Sequence, residues 1–330
     1  MKKLKIGLIG VGGRCKAHMD ALEQMEDVTV VAVADPVKER RIAAAERFGA
    51  RAYENHTGLY DNESELDAVF ICIEPTAHTD TETRAIERNI PFLIEKPMTL
   101  DVAQAEEIAR LVEEKNLVTA VGFQDRYLNL IDIMKEELPK HRQGGLVYGS
   151  WVGGIPGVWW WQKKSDCGGQ LVEQNIHLLD GLRYLFGEPL SVYATCSRGI
   201  VEAGVDAKPE YDTDDHSTAV IRFPNNVTAT LVSGCYTLRD CRPNNGLMIA
   251  LRDIVMDYRL RSNLILKNNV ETRDIVGKKD QTYLLDRAFI DAVKAGDPTA
   301  VRSPYSDALK SLKLGFAANQ SMETGEVIKL

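Results

Sequence analysis

The sequence predicts an α/β protein, with a doubly wound parallel sheet followed by a C-terminal α+β domain that has a large, mainly antiparallel open sheet. Two observations support this prediction. Up to about residue 122, short and nearly continuous apolar runs alternate with helical patterns, which is typical of parallel strands buried on both faces. After Gly144 the chain changes to alternating strands joined by Asn, Gly and Pro turns, which is typical of an antiparallel sheet. The predicted domains are residues 1–123 and 124–330.

Composition narrows the class of ligand. The 330 residues are 44% hydrophobic and 27% charged, with a formal net charge of -8 and no Lys/Arg cluster. This balance argues against nucleic acid and against an anionic membrane surface, and no apolar run approaches the roughly 18 residues of a membrane span. The six cysteines include no C-x-x-C pair. We therefore expect a cytoplasmic protein with reduced thiols, no metal site and a small uncharged ligand.

A glycine-rich turn follows the first apolar run. Residues 4–9, LKIGLI, lead into this turn and then into a helical pattern, and the second run, VTVVAVAD, ends at an aspartate about twenty residues later. This order and spacing match the dinucleotide-binding fingerprint of a Rossmann domain, in which the glycines admit a pyrophosphate at the helix N-terminus. Cysteine stands where the third glycine is usual. The candidate cofactor contacts here are Gly10, Val11, Gly12, Gly13, Arg14, Cys15 and Asp35.

Asp35 also predicts the type of dinucleotide. A carboxylate there accepts hydrogen bonds from both ribose hydroxyls and repels a 2′-phosphate, so NAD is favoured over NADP. Lys38 and Arg40 follow on the next helix. These two side chains either weaken the preference for NAD, pack along the adenine, or are solvated helix charges. We count Arg40 as a candidate cofactor contact.

The remaining elements of the first domain place polar residues at the carboxyl edge of the sheet. The patterns predict helices over 37–48, 78–88 and 101–115 and strands over 52–53, 68–73, 91–95 and 117–122. Ligands of such sheets lie at the carboxyl ends of the strands. The candidate cofactor contacts at these ends are Ile73, Glu74, Pro75, His78, Glu95, Lys96 and Gln124.

The triplet Glu95-Lys96-Pro97 has two interpretations. A charged pair before proline is a common way to leave a strand, so the triplet can be a simple turn. At this sheet edge, however, Lys96 would project its ammonium group toward the expected nicotinamide, where it can bind a substrate hydroxyl and stabilise an alkoxide. A cis Lys96-Pro97 bond would aim the lysine.

The stretch GGQLVEQNIHLLDGLRYLFG, residues 168–187, predicts one buried helix with a polar row. Leucines recur at helical spacing on one side, and Glu173, His177, Asp180 and Tyr184 fall at steps of four, three and four on another. The row is a solvated polar face if it lies toward water. If it lies in a cleft, His177 becomes an acid/base candidate with carboxylates beside it, and Glu173 is counted with it as catalytic.

Alternating runs from LVYGSWV to the stretch 254–267 predict the second sheet, and residues 283–295 and 303–323 predict two closing helices. Three tryptophans, 159–161, occupy a glycine-rich loop of this domain. They are either a structural staple or an apolar platform for a sugar ring, for which Trp160 and Trp161 are the candidates. The polar run Asp212, Asp214, Asp215 and His216 precedes a strand, and we interpret it as a turn and not as a metal site.

The glycine loop, Asp35, the Glu95-Lys96-Pro97 triplet and the His177 helix occur in one order, and the whole chain resembles the Gfo/Idh/MocA family of sugar and cyclitol oxidoreductases. The resemblance implies an NAD(P)-dependent dehydrogenase. In it Lys96 matches the active-site lysine, His177 the general acid/base and Asp180 a substrate-binding carboxylate. We also count Arg126 as a candidate substrate contact. Many members have aspartate four residues before the histidine, where this chain has Glu173.

The resemblance implies hydride transfer between NAD and a secondary hydroxyl of a sugar, sugar derivative or cyclitol. Two alternatives stay open. One is an NAD-dependent glycoside hydrolase that oxidises its substrate transiently and releases the glycoside by elimination. The other is a non-catalytic sugar or nucleotide sensor. A homodimer or homotetramer is expected, since the second sheet should leave one broad face uncovered.

Overall fold

The computed structural model describes residues 3–142, 144–278 and 280–330 and confirms the predicted fold class. The chain divides into two compact units. The first unit runs to Gln124 and also includes Asp280–Leu309, and the second begins at Asp125 and includes Lys310–Leu330. Residues 280–309 fall in the C-terminal domain that the sequence predicts, but in the structure they pack with the first unit.

The first unit is built on a six-stranded sheet. Its strands are β1 (Leu4–Ile9), β2 (Val28–Ala34), β3 (Arg51–Tyr53), β4 (Ala68–Ile71), β5 (Phe92–Ile94) and β6 (Thr119–Val121). The strand order is β3-β2-β1-β4-β5-β6, and every neighbouring pair is parallel. Every residue of β4 and β5 is buried, as their uninterrupted apolar sequences predict for a sheet covered on both faces.

Among the described residues, six α-helices lie entirely within this unit. They are α1 (Gly13–Leu22), α2 (Lys38–Phe48), α3 (His56–Asn62), α4 (Thr81–Glu87), α5 (Val102–Glu114) and α10 (Gln281–Ala295). The sequence did not predict α3, because its seven mostly polar residues show no apolar period; the side chain of Asn55 caps it by accepting from the Gly58 N–H at 2.8 Å. The helix predicted from residue 78 begins instead at Thr81, since Pro75–Ala77 form a separate 3-10 turn.

The second unit is built on a nine-stranded sheet. Its strands are β7 (Gly145–Gly153), β8 (Ser191–Ser197), β9 (His216–Phe223), β10 (Val227–Cys235), β11 (Gly246–Ala250), β12 (Val255–Arg259), β13 (Asn263–Lys267), β14 (Thr272–Val276) and β15 (Ile328–Lys329). The strand order is β14-β13-β12-β11-β7-β10-β9-β8-β15. Strands β7 and β10 pair in parallel and the other pairs are antiparallel.

The register of this sheet separates a buried face from an exposed one. A row of directly paired residues across β11, β7, β10, β9 and β8 is buried: Ile249, Val147, Ala229, Ile221 and Val192. The adjacent row is Met248, Tyr148, Thr230, Val220 and Tyr193, and its four large side chains are 37% to 45% exposed. We call the second row the outer-face row.

Helices cover the buried face. They are α6 (Asn129–Glu137), α8 (Gln170–Glu173), α9 (Ile176–Phe186) and α11 (Tyr305–Thr324), of which α11 starts in the first unit and ends in the second. The short helix α7 (Lys164–Cys167) precedes α8. Leu178, Leu179 and Leu182 of α9 share one apolar cluster with the buried row of the sheet. Truncating one such leucine to alanine costs about 2–5 kcal/mol of stability.

The single helix predicted over residues 168–187 is wrong. Helix α8 ends at Glu173 and α9 begins at Ile176. At the break, the side-chain amide of Gln174 donates to the Trp151 carbonyl at 3.0 Å, and that of Asn175 donates to the Val232 carbonyl at 3.2 Å. These bonds to β7 and β10 compete with a continuous helix, which the helical spacing of the leucines could not reveal.

Within residues 3–142, 144–278 and 280–330, no helix is both long and apolar enough to cross a membrane. All six cysteines lie in these ranges and are free.

Candidate active site

In the first unit, the glycine loop joins β1 to α1. Gly10 has a φ of +79°, and a Cβ at this position would lie 2.4 Å from the Cys72 carbonyl oxygen, so only glycine fits. A Cβ on Gly13 would meet nothing within 4 Å. Among the described residues, no side chain caps α1 and no acidic residue stands in its first turn. The N–H groups that open α1 are therefore suited to an anionic group such as a pyrophosphate.

Asp35 lies at the end of β2 and is buried. One carboxylate oxygen accepts from the Val11 N–H at 2.9 Å and the other from the Val37 N–H at 2.8 Å. The carboxylate thus fixes the glycine loop, and each oxygen keeps a lone pair for a ribose hydroxyl. Arg40 is exposed on α2, and its Nη1 lies 3.7 Å from the position that a Cβ on Gly12 would take.

Behind the glycine loop lies a cluster of charged groups that we call the Glu95 network: Arg14, His18, Glu95 and Asp286. Glu95 Oε1 accepts from Arg14 Nε at 2.7 Å and lies 3.0 Å from His18 Nε2, while His18 Nδ1 lies 2.8 Å from Asp286 Oδ1. Burial alone would raise the pKa of Glu95, but the charges of Arg14, His18 and Lys96 and the His18 hydrogen bond outweigh it and lower that pKa to about 2.

The charge state of His18 follows from the same cluster. Burial opposes protonation, but the two carboxylates beside the ring raise the pKa of His18 well above its ordinary value. We therefore assign a protonated imidazole that donates to both Glu95 and Asp286. Asp286 comes from α10, more than 250 residues after the loop that it supports. No pattern near His18 in the sequence indicated this partner.

The ends of β4 and β5 carry the other cofactor candidates of the first unit. Ile73 and Glu74 lead into the 3-10 turn that begins at the buried Pro75. The buried His78 ring contacts Glu82 through Nδ1, and its backbone carbonyl accepts from Gln104 Nε2 at 3.0 Å. The Lys96-Pro97 bond is cis, as predicted, and the Lys96 N–H donates to Glu95 Oε2 at 3.2 Å. Gln124, the last residue of the N-terminal segment of the first unit, is also buried.

In the second unit, residues 177–184 of α9, about two helical turns, line a cleft. The cleft is lined by Asp125, Arg126, His177, Asp180, Tyr184 and Tyr258, among others. His177 and Asp180 are 7% and 2% exposed, which excludes the solvated-face alternative. The structure thus brings together three of the four residues of the predicted polar row in this cleft, and the fourth, Glu173, is buried at the end of α8.

Asp180 is held by several partners within the cleft. Its two oxygens accept from Arg126 Nε at 2.8 Å and from Arg126 Nη2 at 2.5 Å, and Ser311 Oγ donates to Oδ1 at 2.7 Å. The guanidinium carbon of Arg126 lies 4.8 Å from the centroid of the Tyr184 ring. The bidentate pair neutralises both charges in a buried position, so the cleft has little net charge from these residues.

An aromatic neighbour of His177 comes from outside the run of three tryptophans. Trp151 of β7 stacks on the imidazole with ring centroids 5.7 Å apart and an interplanar angle of 27°. In the Trp159–Trp161 loop, the rings of Trp160 and Trp161 stack at 6.3 Å, and Trp161 Nε1 donates to Gln170 Oε1 at 2.8 Å. Sequence reasoning missed Trp151 because a tryptophan in an alternating strand shows only core packing.

The polar run from Asp212 to His216 holds neighbouring segments of the chain through hydrogen bonds. Asp212 accepts from the Lys164 N–H at 2.6 Å, Asp214 from Arg198 Nε at 3.1 Å, and Asp215 from the Ile200 N–H at 2.6 Å. These bonds agree with the turn interpretation. In the ranges that the structure describes, no group of three or more His, Cys, Asp or Glu side chains is arranged to hold a metal ion.

We next compared the sequence with those of known protein families. A profile described as an oxidoreductase family with an NAD-binding Rossmann fold matches residues 4–123, and the profile of the GFO/IDH/MocA C-terminal domain matches residues 142–245. Together they match more than half of the chain. The chain belongs to the GFO/IDH/MocA family. This result confirms the predicted resemblance, the enzyme class of NAD-dependent oxidoreductase, and NAD as the cofactor.

The relatives of this GFO/IDH/MocA protein include sugar and cyclitol dehydrogenases that match most of its length. Myo-inositol 2-dehydrogenase of Thermotoga maritima is 22% identical, over 99% of this chain and 98% of that protein. Levoglucosan dehydrogenase of Pseudarthrobacter phenanthrenivorans is 27% identical, over 70% of this chain and 67% of that protein. A crystal structure of levoglucosan dehydrogenase in complex with NADH and L-sorbose has a TM-score of 0.88 at 20% identity, covering 100% of this chain and 99% of that chain. At this identity the structural likeness establishes the fold.

Proposed function

We propose that the protein is an NAD-dependent dehydrogenase that acts on a secondary hydroxyl of an uncharged sugar, sugar derivative or cyclitol. The observation that carries the proposal is the buried His177 imidazole in a cleft whose Arg126 and Asp180 charges neutralise one another. Such a cleft favours a polyhydroxylated ligand without net charge. The sugar and cyclitol dehydrogenases among the relatives support the same class of substrate.

The glycine loop fits the cofactor of the family. Gly10, Val11, Gly12, Gly13, Arg14 and Cys15 would hold the pyrophosphate, Asp35 and Arg40 the adenosine ribose, and residues at the ends of β4 to β6 the nicotinamide half. These last residues are Ile73, Glu74, Pro75, His78, Glu95, Lys96 and Gln124. Bound NAD supplies a hydride acceptor. Because Asp35 disfavours a 2′-phosphate, kcat/KM should be higher with NAD than with NADP.

The chain's own groups handle the proton. We assign His177 as the base that removes the hydroxyl proton during oxidation and returns it during reduction, and Lys96 as the cation that stabilises the developing alkoxide. Glu173 would assist His177, and Arg126 and Asp180 would bind substrate hydroxyls. The stacked Trp160 and Trp161 would support the apolar face of a sugar ring, so Trp160→Ala should raise KM more than it lowers kcat.

A substrate panel with two variants tests this proposal. Polyols, aldoses and glycosides are incubated with NAD, and NADH is followed by its ultraviolet absorbance. Lys96→Met and His177→Asn should each reduce kcat by about 100- to 10,000-fold. NAD affinity, measured by quenching of tryptophan fluorescence, should change little. The matched controls are Lys267→Met, at an exposed lysine, and His141→Asn, at a partly buried histidine that contacts Asp253; both should retain full activity.

The panel also separates the two alternatives. Release of aglycone from aryl glycosides without net NADH would replace the dehydrogenase by the redox glycoside hydrolase. Full turnover in His177→Asn would remove the assignment of the base. Sugar binding without turnover on any compound would favour the sensor.

We further propose that the protein forms a homo-oligomer through the outer-face row of the nine-stranded sheet. Met248, Tyr148, Val220 and Tyr193 form a line across five paired strands with partly exposed side chains, and such a surface favours association. Tyr148→Lys with Met248→Glu should therefore lower the mass measured by light scattering. An unchanged mass would place the interface elsewhere.

A further inference from the structure

A second aromatic contact supports the stack on His177. The guanidinium carbon of Arg261 lies 5.4 Å from the centroid of a Trp151 ring, and Trp151 in turn stacks on the His177 imidazole at 5.7 Å. Arg261 Nε donates to Asp125 Oδ1 at 2.7 Å, so an ion pair holds the guanidinium. A cation near an aromatic ring is attracted by the ring's negative face, and this attraction restricts the ring.

The backbone of Arg261 is the second observation. Arg261 lies in the turn between β12 and β13 with a φ of +59°, in the left-handed region that favours glycine. Its N–H donates to the Tyr258 hydroxyl oxygen at 3.1 Å, and Tyr258 lines the same cleft as His177. An arginine that persists in a strained conformation beside a cleft indicates that its side chain has a task there.

We infer that Trp151 and Arg261 are positioning residues for the imidazole of His177. Trp151 fixes the plane of the ring by stacking, and Arg261, held by Asp125 and Tyr258, fixes Trp151. This inference rests on the proposed function of His177 as the base. A base works only within hydrogen-bond reach of the hydroxyl, so loss of the stack should reduce kcat and leave substrate affinity largely intact.

The sharpest variant is Arg261→Gly. It relieves the left-handed strain but also removes the guanidinium that pairs with the buried Asp125, so kcat is measured well below the unfolding temperature, where it should fall. Trp151→Leu should lower kcat by about 100-fold with KM little changed, because misplacement of a reacting group by about 1 Å has an effect of that order. Trp151→Phe keeps a stacking ring and should restore most of kcat. The substrate is the best polyol or aldose of the panel, with NAD.

Two controls isolate the effect. Asn226→Gly relieves an equivalent left-handed residue, with a φ of +60°, in the turn between β9 and β10 and should leave kcat unchanged. Phe186 lies on the same helix as His177, and its ring centroid is 5.9 Å from that of Phe223. Phe186→Leu removes this ring contact, so it should lower thermal stability without lowering kcat at temperatures below unfolding.

A readout independent of turnover keeps the inference testable if the proposed function fails. The chain has six histidines, so the imidazole C–H signals of histidine-labelled protein can be resolved by NMR and the His177 signal assigned with His177→Asn. Loss of the tryptophan ring current in Trp151→Leu should move that signal, and Arg261→Gly should move it in the same direction. An unmoved signal, or full kcat in both variants, would overturn the inference.

Discussion

Asp180 accepts three hydrogen bonds, two from Arg126 and one from Ser311, at 2% exposure. The sequence showed a carboxylate one turn after His177, and the family resemblance implied that it binds substrate. The structure adds that Asp180 is the counterion of a buried arginine. A residue can serve both roles, because carboxylate oxygens accept more than one bond.

The Arg126–Asp180 pair makes a prediction about stability. Asp180→Asn keeps the shape of the side chain but leaves the Arg126 charge without its counterion, so thermal unfolding should show a loss of about 3–5 kcal/mol. The double variant Arg126→Leu with Asp180→Leu removes both charges and should recover much of this loss. Equal stability of Asp180→Asn and the wild type would show that the pair contributes little.

Glu95 makes a prediction about pH. Its pKa is about 2 in the folded protein against an ordinary value of 4.5, so the folded state binds this proton less readily than the unfolded state. The ionised Glu95 therefore stabilises the fold fully above about pH 4.5, by about 3 kcal/mol, and this contribution is lost as the pH falls toward 2.

Urea unfolding of the wild type and Glu95→Gln at several pH values measures this contribution. The difference in the free energy of unfolding should be largest near neutral pH and shrink as the solution becomes acidic. Glu136→Gln, an exposed carboxylate on α6, is the control and should behave like the wild type at every pH. A constant difference between Glu95→Gln and the wild type would contradict the assigned pKa.

At the scale of elements, the sequence predicts which segments form strands and which form helices. It does not predict where a helix is interrupted. The parallel strands were predictable because uninterrupted apolar runs suit a sheet with two covered faces. The break between α8 and α9 was not, because it depends on carbonyl groups of β7 and β10 that receive the Gln174 and Asn175 side chains. As a result, Glu173 and His177 are four residues apart but do not share a continuous helix.

Gly246 shows how strongly one residue can control strand pairing. It has a φ of +144°, and a Cβ would lie 1.8 Å from the Tyr258 carbonyl oxygen on the paired strand β12. Gly246→Ala should therefore destabilise the second unit by about 3 kcal/mol or more, measured by thermal unfolding. Gly153→Ala is the matched control at the end of β7, where a Cβ would meet nothing within 4 Å. Similar losses in both variants would refute the steric argument.

At the scale of the whole molecule, a helix from late in the chain completes the unit that the N-terminal residues form. Helix α10 supplies Asp286 to the Glu95 network, and Phe289, which is fully buried, packs edge to face on Phe70 of β4 at 5.6 Å. The dinucleotide-binding unit is thus completed only after strands β7 to β14 of the second sheet have been synthesised. We therefore expect the stability of the first unit to depend on residues 280–309, which the sequence predicts to be part of the C-terminal domain.

Hydrogen exchange tests this dependence. Phe289→Ala removes a core ring, which should lower the free energy of unfolding by about 3–5 kcal/mol. Amide exchange should therefore become faster mainly in the first unit. Leu314→Ala changes an equally buried residue of α11 in the second unit and should speed exchange mainly there. If Phe289→Ala affected both units equally, the division into two units would not describe their stability.

The sequence by itself determined the fold class, the glycine loop with its ribose acid, the cofactor and the family. These features depend on local order and spacing, which a single chain displays directly. Tertiary structure alone decided which partners the polar residues have: Asp286 for His18, Arg126 for Asp180 and Trp151 for His177. These partners are 26 to more than 250 residues apart in sequence, and a hydrogen bond or ring contact between distant residues has no local pattern that reveals it.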